Sequence, residues 1–522
     1  MKHTKTLAVV VGAAALIGTG SAAATPNGGW ARDTRAGYTP FEDFQPVPAS
    51  APCPGEPTGY EAKPFVLPGG YEQQVILEEL VPPPAGSGTG TVPYDLWDMN
   101  TQNETGTDAG RYVYRTHETG NNGAVTFLDL QTGETGVIAE RADFERLDGL
   151  AWTPWNTLLA AEEVIVAAHK DPTVPQAQGG LVYELFLDPS DPTRLAPWRE
   201  PITAPQDGTQ DYAKDGIRAR PAVGARSHEG LRFDRKLNLY GIAESRGVQA
   251  SRSGGIFRFE PDDKQNPLAT GQLYALQTQN RHDGEGRWIP LDREASQVDS
   301  DTHAEQRGAN EYERPEDVET DTSTGRDVNG NGDTLYVAIT GTDEVLAIDL
   351  HNQNRPFAYH YVYDASKPHT NTTGDPNVAA DFDAPDNLAL DAEGNLAITE
   401  DPGSDVAGGK KAGDDIWIAA PPQGPGNPNA PGQQGRRREE ARTVQRFASL
   451  KDCDAEPSGV YFLMEGTQDY VEQWDPALAD YVHDETLLVH RMHSGQFGPE
   501  DQLVAITPDE IDEDDEKSKR NK

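Results

Sequence analysis

Residues 384–403 read APDNLALDAEGNLAITEDPG, and two other segments of the chain share their plan. Each begins with a small or polar residue, then His or Pro, then an acid, and continues as an apolar strand, a turn around Asp and a second apolar strand. The other two copies are SHEGLRFDRKLNLYGIAESR (227–246) and RPEDVETDTSTGRDVNGNGDTLYVAITG (314–341). Repeats of this kind, spaced by tens of residues, are typical of a β-propeller.

Two more divergent copies extend the pattern. One is EPSGVYFL, resumed as DETLLVHRMHSG after an insertion near 467–483, and the other is LDGLAWTPWNTLLAAEEV (147–164). Most remaining apolar runs are short and followed by turn residues, so the sheets should be antiparallel. We therefore predict an all-β chain that folds as a β-propeller of five to seven blades, with six favoured.

The chain ends differ in composition from its middle. Residues 1–24 have the order of a secretory signal peptide, with Lys2 and Lys5 before an apolar run and small residues. No later segment is long and apolar enough to span a membrane, so we expect a periplasmic or secreted protein. The predicted divisions are a signal peptide (1–24), an N-terminal arm (25–64), a propeller (65–505) with an insertion loop (419–442), and an acidic disordered tail (506–522).

Acidic residues outnumber basic ones, 86 to 44, for a formal net charge of −42. A charge of this sign repels nucleic acid and anionic membranes, so neither is expected as a partner. The excess acids fit a protein from a saline habitat or one that binds hard cations, and both explanations can hold together.

The acids of the three clear repeats occupy one position. In a propeller the innermost strand of every blade begins at the central channel, so Glu229, Glu316 and Asp386 should share a ring. Carboxylates that converge in this way need cations to stay ionised, and Ca²⁺ takes six to eight oxygen ligands. Each acid could instead cap a turn, but three at one repeat position, together with the strand-end pair Glu162 and Glu163, favour a metal site.

Histidines and cysteines leave alternatives open. His228 beside Glu229, and His117 beside Glu118, could bind a transition metal or orient a carboxylate, or could simply pack in the core. The only cysteines, Cys53 and Cys453, could form a disulfide in an oxidising compartment or remain two thiols.

Together these motifs resemble the PhoX-type alkaline phosphatase family, which are exported bacterial phosphatases built on a β-propeller. The resemblance runs from about residue 65 to about residue 500. It is carried by LPGGYEQQVIL (67–77), THE (116–118), TPW (153–155), EE (162–163), SHEG (227–230), RPED (314–317), APDNL (384–388) and HSG (493–495).

The resemblance implies a phosphatase that acts on small phosphate esters with a cluster of iron and calcium ions, and we expect it to be a monomer. It implies metal ligands at Glu163, Glu229, Glu316 and Asp386. The residue pattern adds Glu162, Glu118 and Asp148 as further candidates. His228 would position a ligand or the leaving group. Arg314 would clamp a phosphate oxygen or form a structural salt bridge.

One position departs from the family pattern. The family has an iron-binding cysteine a few residues before the Thr-Pro-Trp turn, whereas Asp148 occupies that place here. A hard carboxylate in place of a soft thiolate weakens the expectation of Fe³⁺ and favours a calcium-rich or altered cluster. Two other functions therefore stay open, a Ca²⁺-dependent lactonase or esterase and a non-catalytic, Ca²⁺-stabilised binding propeller.

Overall fold

The structure is a computed structural model in which the described residues are 40–52, 62–79, 96–120, 123–196, 216–245, 254–280, 283–320, 334–363, 381–401, 412–420, 443–484, 486–493 and 501–509. Strands dominate these residues, and the strands pair antiparallel throughout. They form six blades, in agreement with the prediction of a β-propeller.

Two strands precede the first blade, namely β1 (Phe65–Val66) and β2 (Tyr71–Glu78). The first blade consists of β3 (Trp97–Gln102), β4 (Tyr112–His117), β5 (Ala124–Asp129) and β6 (Thr135–Glu140). The second consists of β7 (Leu147–Trp152), β8 (Thr157–Glu162), β9 (Val182–Asp188), β10 (Asp191–Leu195) and β11 (Ile217–Ala219), with both β10 and β11 paired to β9.

The third blade is larger and comprises β12 (Leu231–Phe233), β13 (Leu239–Ile242), β14 (Ile256–Pro261), β15 (Gly271–Thr278) and β16 (Gly284–Pro290). Helix α1 (Arg293–Gln306) follows it. The fourth blade comprises β17 (Pro315–Thr320), β18 (Thr334–Ile339), β19 (Glu344–Asp349) and β20 (Phe357–Tyr363). Strands β16 and β20 also pair, which joins these two blades at their outer edges.

The fifth blade comprises β21 (Pro385–Leu390), β22 (Leu396–Glu400), β23 (Asp415–Ala420) and β24 (Thr443–Leu450), and β1 adds to its outer edge. The sixth comprises β25 (Ala455–Phe462), β26 (Leu487–His493) and β27 (Gln502–Pro508). Helix α2 (Gln468–Trp474) lies in the insertion predicted between its first two strands.

The sixth blade is completed by the start of the chain, because β2 pairs with β27 along its length, from Tyr71 opposite Pro508 to Glu78 opposite Gln502. The six inner strands contact one another in the order β3, β7, β12, β17, β21 and β25, and β25 contacts β3 again. The blades therefore close into a ring, in which the inner edge strand of each blade is packed between its neighbours.

One apolar cluster lies between each pair of neighbouring blades. Alternate residues of a strand face opposite neighbours. Thus Leu150 and Leu158 pack toward the first blade, whereas Ala151 and Leu159 pack toward the third. Because both faces of most blades are covered, inner strands such as β7 are buried at every residue. Polar side chains of the inner strands, such as Asp98 in β3 and Glu316 in β17, are therefore buried as well.

Two glycines allow the inner strands to approach one another closely. A Cβ atom at Gly149 would collide with the carbonyl oxygen of Glu229 in the next blade. A Cβ atom at Gly459, whose φ is +58°, would collide with the carbonyl oxygen of Asp98. Larger residues at these two positions would push the blades apart at the axis.

The described part of the predicted arm packs against the last two blades. The ring of Phe41 lies 5.0 Å from that of Phe462 and 5.2 Å from that of Phe447, and its backbone N–H donates to the Tyr71 hydroxyl.

Cys453 is in a disulfide. Its predicted partner Cys53 lies outside the described residues, so that pairing stays a prediction.

Several predicted segments fall mostly outside the described residues. These are the signal peptide, the insertion loop apart from Ala419 and Ala420 at the end of β23, and the tail beyond residue 509. Strand β27 continues to Pro508, past the predicted start of the tail at 506. Among the described residues, neither helix is long and apolar enough to cross a membrane.

Candidate metal centre

Four inner strands begin with the same distortion. In β3, β7, β17 and β21 the pairing register shifts directly after the first residue, and the residue before each strand has a positive φ. A bulge of this kind turns a side chain away from the regular alternation. The second residue of each strand, which lies in the bulge, is an acid: Asp98, Asp148, Glu316 or Asp386.

The other two blades add one acid each at the same end. Glu229 stands two residues before β12, and Glu456 is the second residue of β25. Glu456 is partly buried and the other five acids are buried. Every blade thus contributes one carboxylate, and we call these six the ring acids: Asp98, Asp148, Glu229, Glu316, Asp386 and Glu456.

Three ring acids lie closest together. Single carboxylate oxygens of Glu229, Glu316 and Asp386 all fall within 4.8 Å of one another. Beside them, the side chains of Asp98 and Asp148 are hydrogen-bonded to each other. The Oδ1 atom of Asp148 is buried without a hydrogen-bond partner in the described part of the chain. An orphaned acceptor in a cluster of carboxylates is what a cation site needs.

Burial is the first cause that raises the pKa of every ring acid, and repulsion by neighbouring carboxylates adds to it. The pKa of Asp98 rises to about 7, with Glu163 as the leading repulsive neighbour. The pKa of Glu316 also rises to about 7, although Arg314 opposes the increase. The remaining four have a pKa well above the usual range. Cations would remove the cause of this repulsion.

A second set of acids follows the second strand of four blades, and we call them the outer acids: Glu118, Glu163, Glu244 and Asp401. Two arginines tie them together. Arg146 binds Glu118 and Glu163, and Arg314 binds Glu244 and Asp401. Both arginines precede a bulged inner strand, with φ of 51° and 50°.

The two arginine clusters are continuous. The side chains of Glu163 and Glu244 are hydrogen-bonded to each other, so a chain of contacts runs from Arg146 to Arg314. Arg314 also lies 2.6 Å from the ring acid Glu316. The outer acids are thereby fixed at the rim of the ring, with two positive charges among them.

The structure brings together most of the site residues predicted from sequence. Glu163, Glu229, Glu316, Asp386, Asp148, Glu118 and Arg314 all belong to this network. Glu162 lies elsewhere, since its carboxylate accepts from the backbone N–H groups of Leu181 and Glu145. Burial raises the pKa of Glu162 to about 8 despite these bonds.

The histidines make local contacts. His228 is buried, and its Nε2 lies 3.0 Å from the carbonyl oxygen of Gly224. Burial lowers the pKa of His228 well below its usual value, so its imidazole is neutral. His117 contacts the hydroxyl of Thr126 at 2.9 Å. Both contacts use Nε2, and Nδ1 of His228 is buried without a hydrogen-bond partner in the described part of the chain.

Five members of the network were missed by sequence reasoning: Asp98, Glu456, Glu244, Asp401 and Arg146. Asp98 and Glu456 follow Trp97 and Ala455 rather than the His or Pro of the clear repeats. Glu456 opens the fourth repeat copy, so aligning the strand starts would have identified it. Glu244 and Asp401 end second strands in the same way as Glu163, which was the available signal for them.

The donor set consists of carboxylate oxygens, and these suit hard cations such as Ca²⁺. No thiolate joins it among the described residues, because Cys453 is in a disulfide. A metal ion can therefore be held by Glu229, Glu316 and Asp386, with the other ring acids beside them.

Comparison with known proteins agrees with this architecture. The structure of Pseudomonas fluorescens PhoX in complex with vanadate, a transition state analogue, is similar with a TM-score of 0.55 and 16% sequence identity, over 89% of this chain and 98% of that chain. A gluconolactonase of Xanthomonas campestris aligns with a TM-score of 0.40 and 11% identity, over 88% and 98%. The second likeness is too distant to support a conclusion, and the first supports the propeller fold.

Comparison of the sequence with protein-family models identifies the family of this chain. No curated protein sequence matches this chain. The family model described as alkaline phosphatase PhoX matches residues 151–476, which is more than half of the 522 residues. This match includes Glu229, Glu316 and Asp386. The chain therefore belongs to the alkaline phosphatase PhoX family.

Proposed function

We propose that this protein is an exported, metal-dependent phosphatase that hydrolyses small phosphate monoesters at the ring acids. The observation that carries the proposal is the convergence of Glu229, Glu316 and Asp386, with carboxylate oxygens within 4.8 Å of one another. Family membership supports the reaction class. The chain's net charge of −42 adds a physical requirement, since a phosphate ester would be repelled without bound cations.

We propose Ca²⁺ as the main ion, held by Glu229, Glu316 and Asp386 and flanked by Asp98, Asp148 and Glu456. Bound cations would supply the positive charge that attracts a phosphate group and polarises its P–O bonds. We do not extend the family's Fe³⁺ to the main site, because Asp148 replaces the iron-binding thiolate that the family resemblance implies. The unpartnered Oδ1 of Asp148 supports its inclusion in the ligand set.

The outer acids and arginines act as the support of this site. Arg314 holds the Glu316 carboxylate at 2.6 Å and Asp401 at 2.7 Å, which restricts the orientations open to Glu316. Glu118 and Glu163 bind Arg146 in the same way. His228 stays neutral and fixes the segment before Glu229 by its contact with Gly224. Glu162 has a structural role in the second blade.

Metal analysis combined with a hydrolysis assay tests the proposal. Protein purified without chelator is assayed for bound Ca and Fe, and for p-nitrophenyl phosphate hydrolysis before and after EDTA and Ca²⁺ addition. We expect bound Ca²⁺, loss of hydrolysis with EDTA, and recovery on addition of Ca²⁺. Bound Ca²⁺ without hydrolysis would favour a binding propeller, and hydrolysis that survives metal removal would contradict the metal-dependent mechanism.

The matched variants are Glu229→Gln and Glu134→Gln. Glu229 is a buried ring acid, whereas Glu134 is exposed in a turn of the first blade. We expect the first substitution to lower both metal content and hydrolysis and the second to change neither. Equal behaviour of the two variants would exclude the ring acids as the site.

Export is a separate part of the proposal. It is supported by the signal-peptide pattern in residues 1–24 and by the disulfide at Cys453, which requires an oxidising compartment to persist. Mass spectrometry of the intact protein recovered from the periplasm or medium should show a chain that begins near Thr25. A cytoplasmic protein with an intact N-terminus would contradict export.

A further inference from the structure

A shallow cleft lies between the inner strands of the third blade and helix α1. Ser227 precedes β12 and Ser245 follows β13, and both line the cleft together with Ile165 and Val298. These four side chains lie outside the network of ring acids and outer acids. The cleft is therefore a feature that the proposed metal centre does not account for.

The cleft adjoins the metal centre through one shared residue. The outer acid Glu244 lines the cleft, lies 3.1 Å from Arg314 and is hydrogen-bonded to Glu163. Its backbone N–H donates to the carbonyl oxygen of Ser227, two residues before the ring acid Glu229. The cleft therefore lies at the rim of the ring, where the alcohol portion of a bound ester would extend.

Two serine hydroxyls in the cleft are left for a ligand. Ser227 is 5% exposed and Ser245 is 3% exposed. Within the described part of the chain, neither hydroxyl takes part in a hydrogen bond. A hydroxyl donates one hydrogen bond and accepts two, so each serine can bind a ligand hydroxyl in either direction. Because both serines are otherwise buried, a ligand reaches them through the cleft.

The walls of the cleft offer carbon surface. Ile165 and Val298 are 42% and 39% exposed, and they are two of the four large apolar side chains that stand exposed among the described residues. Exposed apolar side chains that meet beside polar groups are common in sites for small molecules. A short carbon chain can pack against them while its hydroxyl groups meet the serines.

The charges of the lining disfavour an anionic ligand. Three carboxylates line the cleft, those of Glu244, Asp299 and Asp301, against one guanidinium, that of Arg226. Burial raises the pKa of Asp301 to about 7, so this acid is ionised at alkaline pH. Two nitrogens of Arg226 already donate to backbone carbonyl oxygens. The cleft thus suits a neutral, hydroxylated molecule better than one with a further negative charge.

We propose that this cleft receives the alcohol portion of the substrate and that Ser227 and Ser245 recognise its hydroxyl groups. The preferred substrates are then phosphate monoesters of short polyols. The ring acids and their cations hold the phosphate group, and the cleft determines which alcohols are accepted. This inference rests on the proposed phosphatase function.

The test uses two esters with the same carbon chain, glycerol phosphate and n-propyl phosphate, which differ in two hydroxyl groups. The variants are Ser227→Ala, Ser245→Ala and Val298→Phe, with Ser296→Ala and Val137→Phe as matched controls. Ser296 is a buried serine of α1 whose hydroxyl donates to a backbone carbonyl oxygen, and Val137 is an exposed valine of the first blade. For each protein, kcat/KM for both esters, the inhibition constant of inorganic phosphate, bound metal and the thermal midpoint are measured.

We expect the wild type to prefer glycerol phosphate to propyl phosphate by at least about 10-fold in kcat/KM, because two hydroxyl contacts are made only with glycerol. Ser227→Ala and Ser245→Ala should each lower this ratio by about 5-fold, the effect of one neutral hydrogen bond. Val298→Phe should lower kcat/KM for both esters, since its larger ring narrows the cleft, and should keep the inhibition constant of inorganic phosphate, which has no alcohol portion. Both controls should keep the wild-type ratio.

The outcomes separate this inference from the proposed function. If the wild type hydrolyses both esters and the two serine variants keep its ratio, the inference is wrong and the phosphatase function stands. An equal fall of the ratio in Ser296→Ala would trace the effect to general packing and would also overturn the inference. A metal-loaded wild type that hydrolyses neither these esters nor p-nitrophenyl phosphate overturns the proposed function and the inference together.

Discussion

Strand β21 carries a buried aspartate at each end, and the two differ in their surroundings. Asp386, near its start, meets the side chains of Asn387 and Glu229 and the charges of further acids. Asp391, just after its end, accepts from the backbone N–H groups of Glu393 and Asn395 and from the Asn395 amide. Burial raises the pKa of both, but the donors at Asp391 limit its pKa to about 7.

The difference shows which buried acids belong to a site. Asp391 completes a turn and its charge is met by donors of the same segment. Asp386 accepts from the Asn387 amide but otherwise faces carboxylates from other blades, so a bound cation would offset the repulsion that remains. The same residue type, five positions apart, completes a turn at one end of the strand and is our proposed metal ligand at the other.

The largest expected effect comes from neutralising Asp386, near the start of β21. Asp386→Asn should reduce hydrolysis by more than about 100-fold, because it removes a charged ligand from the closest trio of acids. The metal-free variant should be at least as stable as the metal-free wild type, since a repelling charge is gone. Urea unfolding with chelator, together with the hydrolysis assay, measures both quantities. A destabilised metal-free variant with normal activity would place Asp386 among the structural acids.

Removing Asp391, at the other end of β21, should lower stability and leave metal binding unchanged. Asp391→Ala leaves the N–H groups of Glu393 and Asn395 without their acceptor, which should lower the free energy of unfolding by about 3 kcal/mol. Metal content per folded molecule should not change. Urea unfolding and metal analysis of the folded fraction provide the check, and a loss of metal at unchanged stability would contradict it.

The pH dependence of the metal-free protein sharpens the comparison. The ring acids have a raised pKa in the folded state, so the folded state binds protons more tightly than the unfolded state. Their contribution to stability is therefore present at acidic pH and is lost as the pH rises from about 4 to about 7, as for Asp98 and Glu316. Thermal midpoints with chelator should be higher at pH 5 than at pH 8, and saturating Ca²⁺ should abolish that difference. Equal midpoints with chelator would count against uncompensated charge in the ring.

The smallest effect concerns a buried acid with its own cationic partner. Glu344 lies 2.5 Å from His360 across neighbouring strands of the fourth blade. Burial favours the neutral form of His360. The hydrogen bond and negative charge of Glu344 outweigh burial and raise the pKa of His360. The stability from this pair is full below the ordinary pKa of histidine and is lost as the pH rises through the raised value. His360→Gln should cost about 1 kcal/mol at pH 5.5 and less at pH 8.5 in urea unfolding. A larger cost at the higher pH would contradict this assignment.

Sequence reasoning reached the propeller and four of the six ring acids, three from the repeat pattern and Asp148 from the family resemblance. Glu229, Glu316 and Asp386 follow a His or Pro at the start of a clear repeat, so local pattern alone placed them at equivalent positions. Asp98 and Glu456 occupy the same position in their inner strands but do not follow a His or Pro. Only the closure of the six blades places them beside the other ring acids.

The arginine contacts could not be predicted from local pattern. Arg146 meets Glu118 from the first blade, and Arg314 meets Asp401 from the fifth, 87 residues further along the chain. Glu162 was placed with Glu163 because the two are adjacent in sequence. Adjacent residues of an extended chain point in opposite directions, and only Glu163 reaches the ring.

The pairing of β2 with β27 also constrains the order of folding. Because the sixth blade needs a strand from each end of the chain, the barrier to folding includes closing a loop of more than 400 residues. Each blade contributes one acid to the ring, so no partial assembly of blades contains the full ligand set. Glu229, Glu316 and Asp386 come from three consecutive blades, so only binding that needs all six ring acids would have to follow closure of the ring. A cation bound in that way would stabilise the pairing of the chain's two ends.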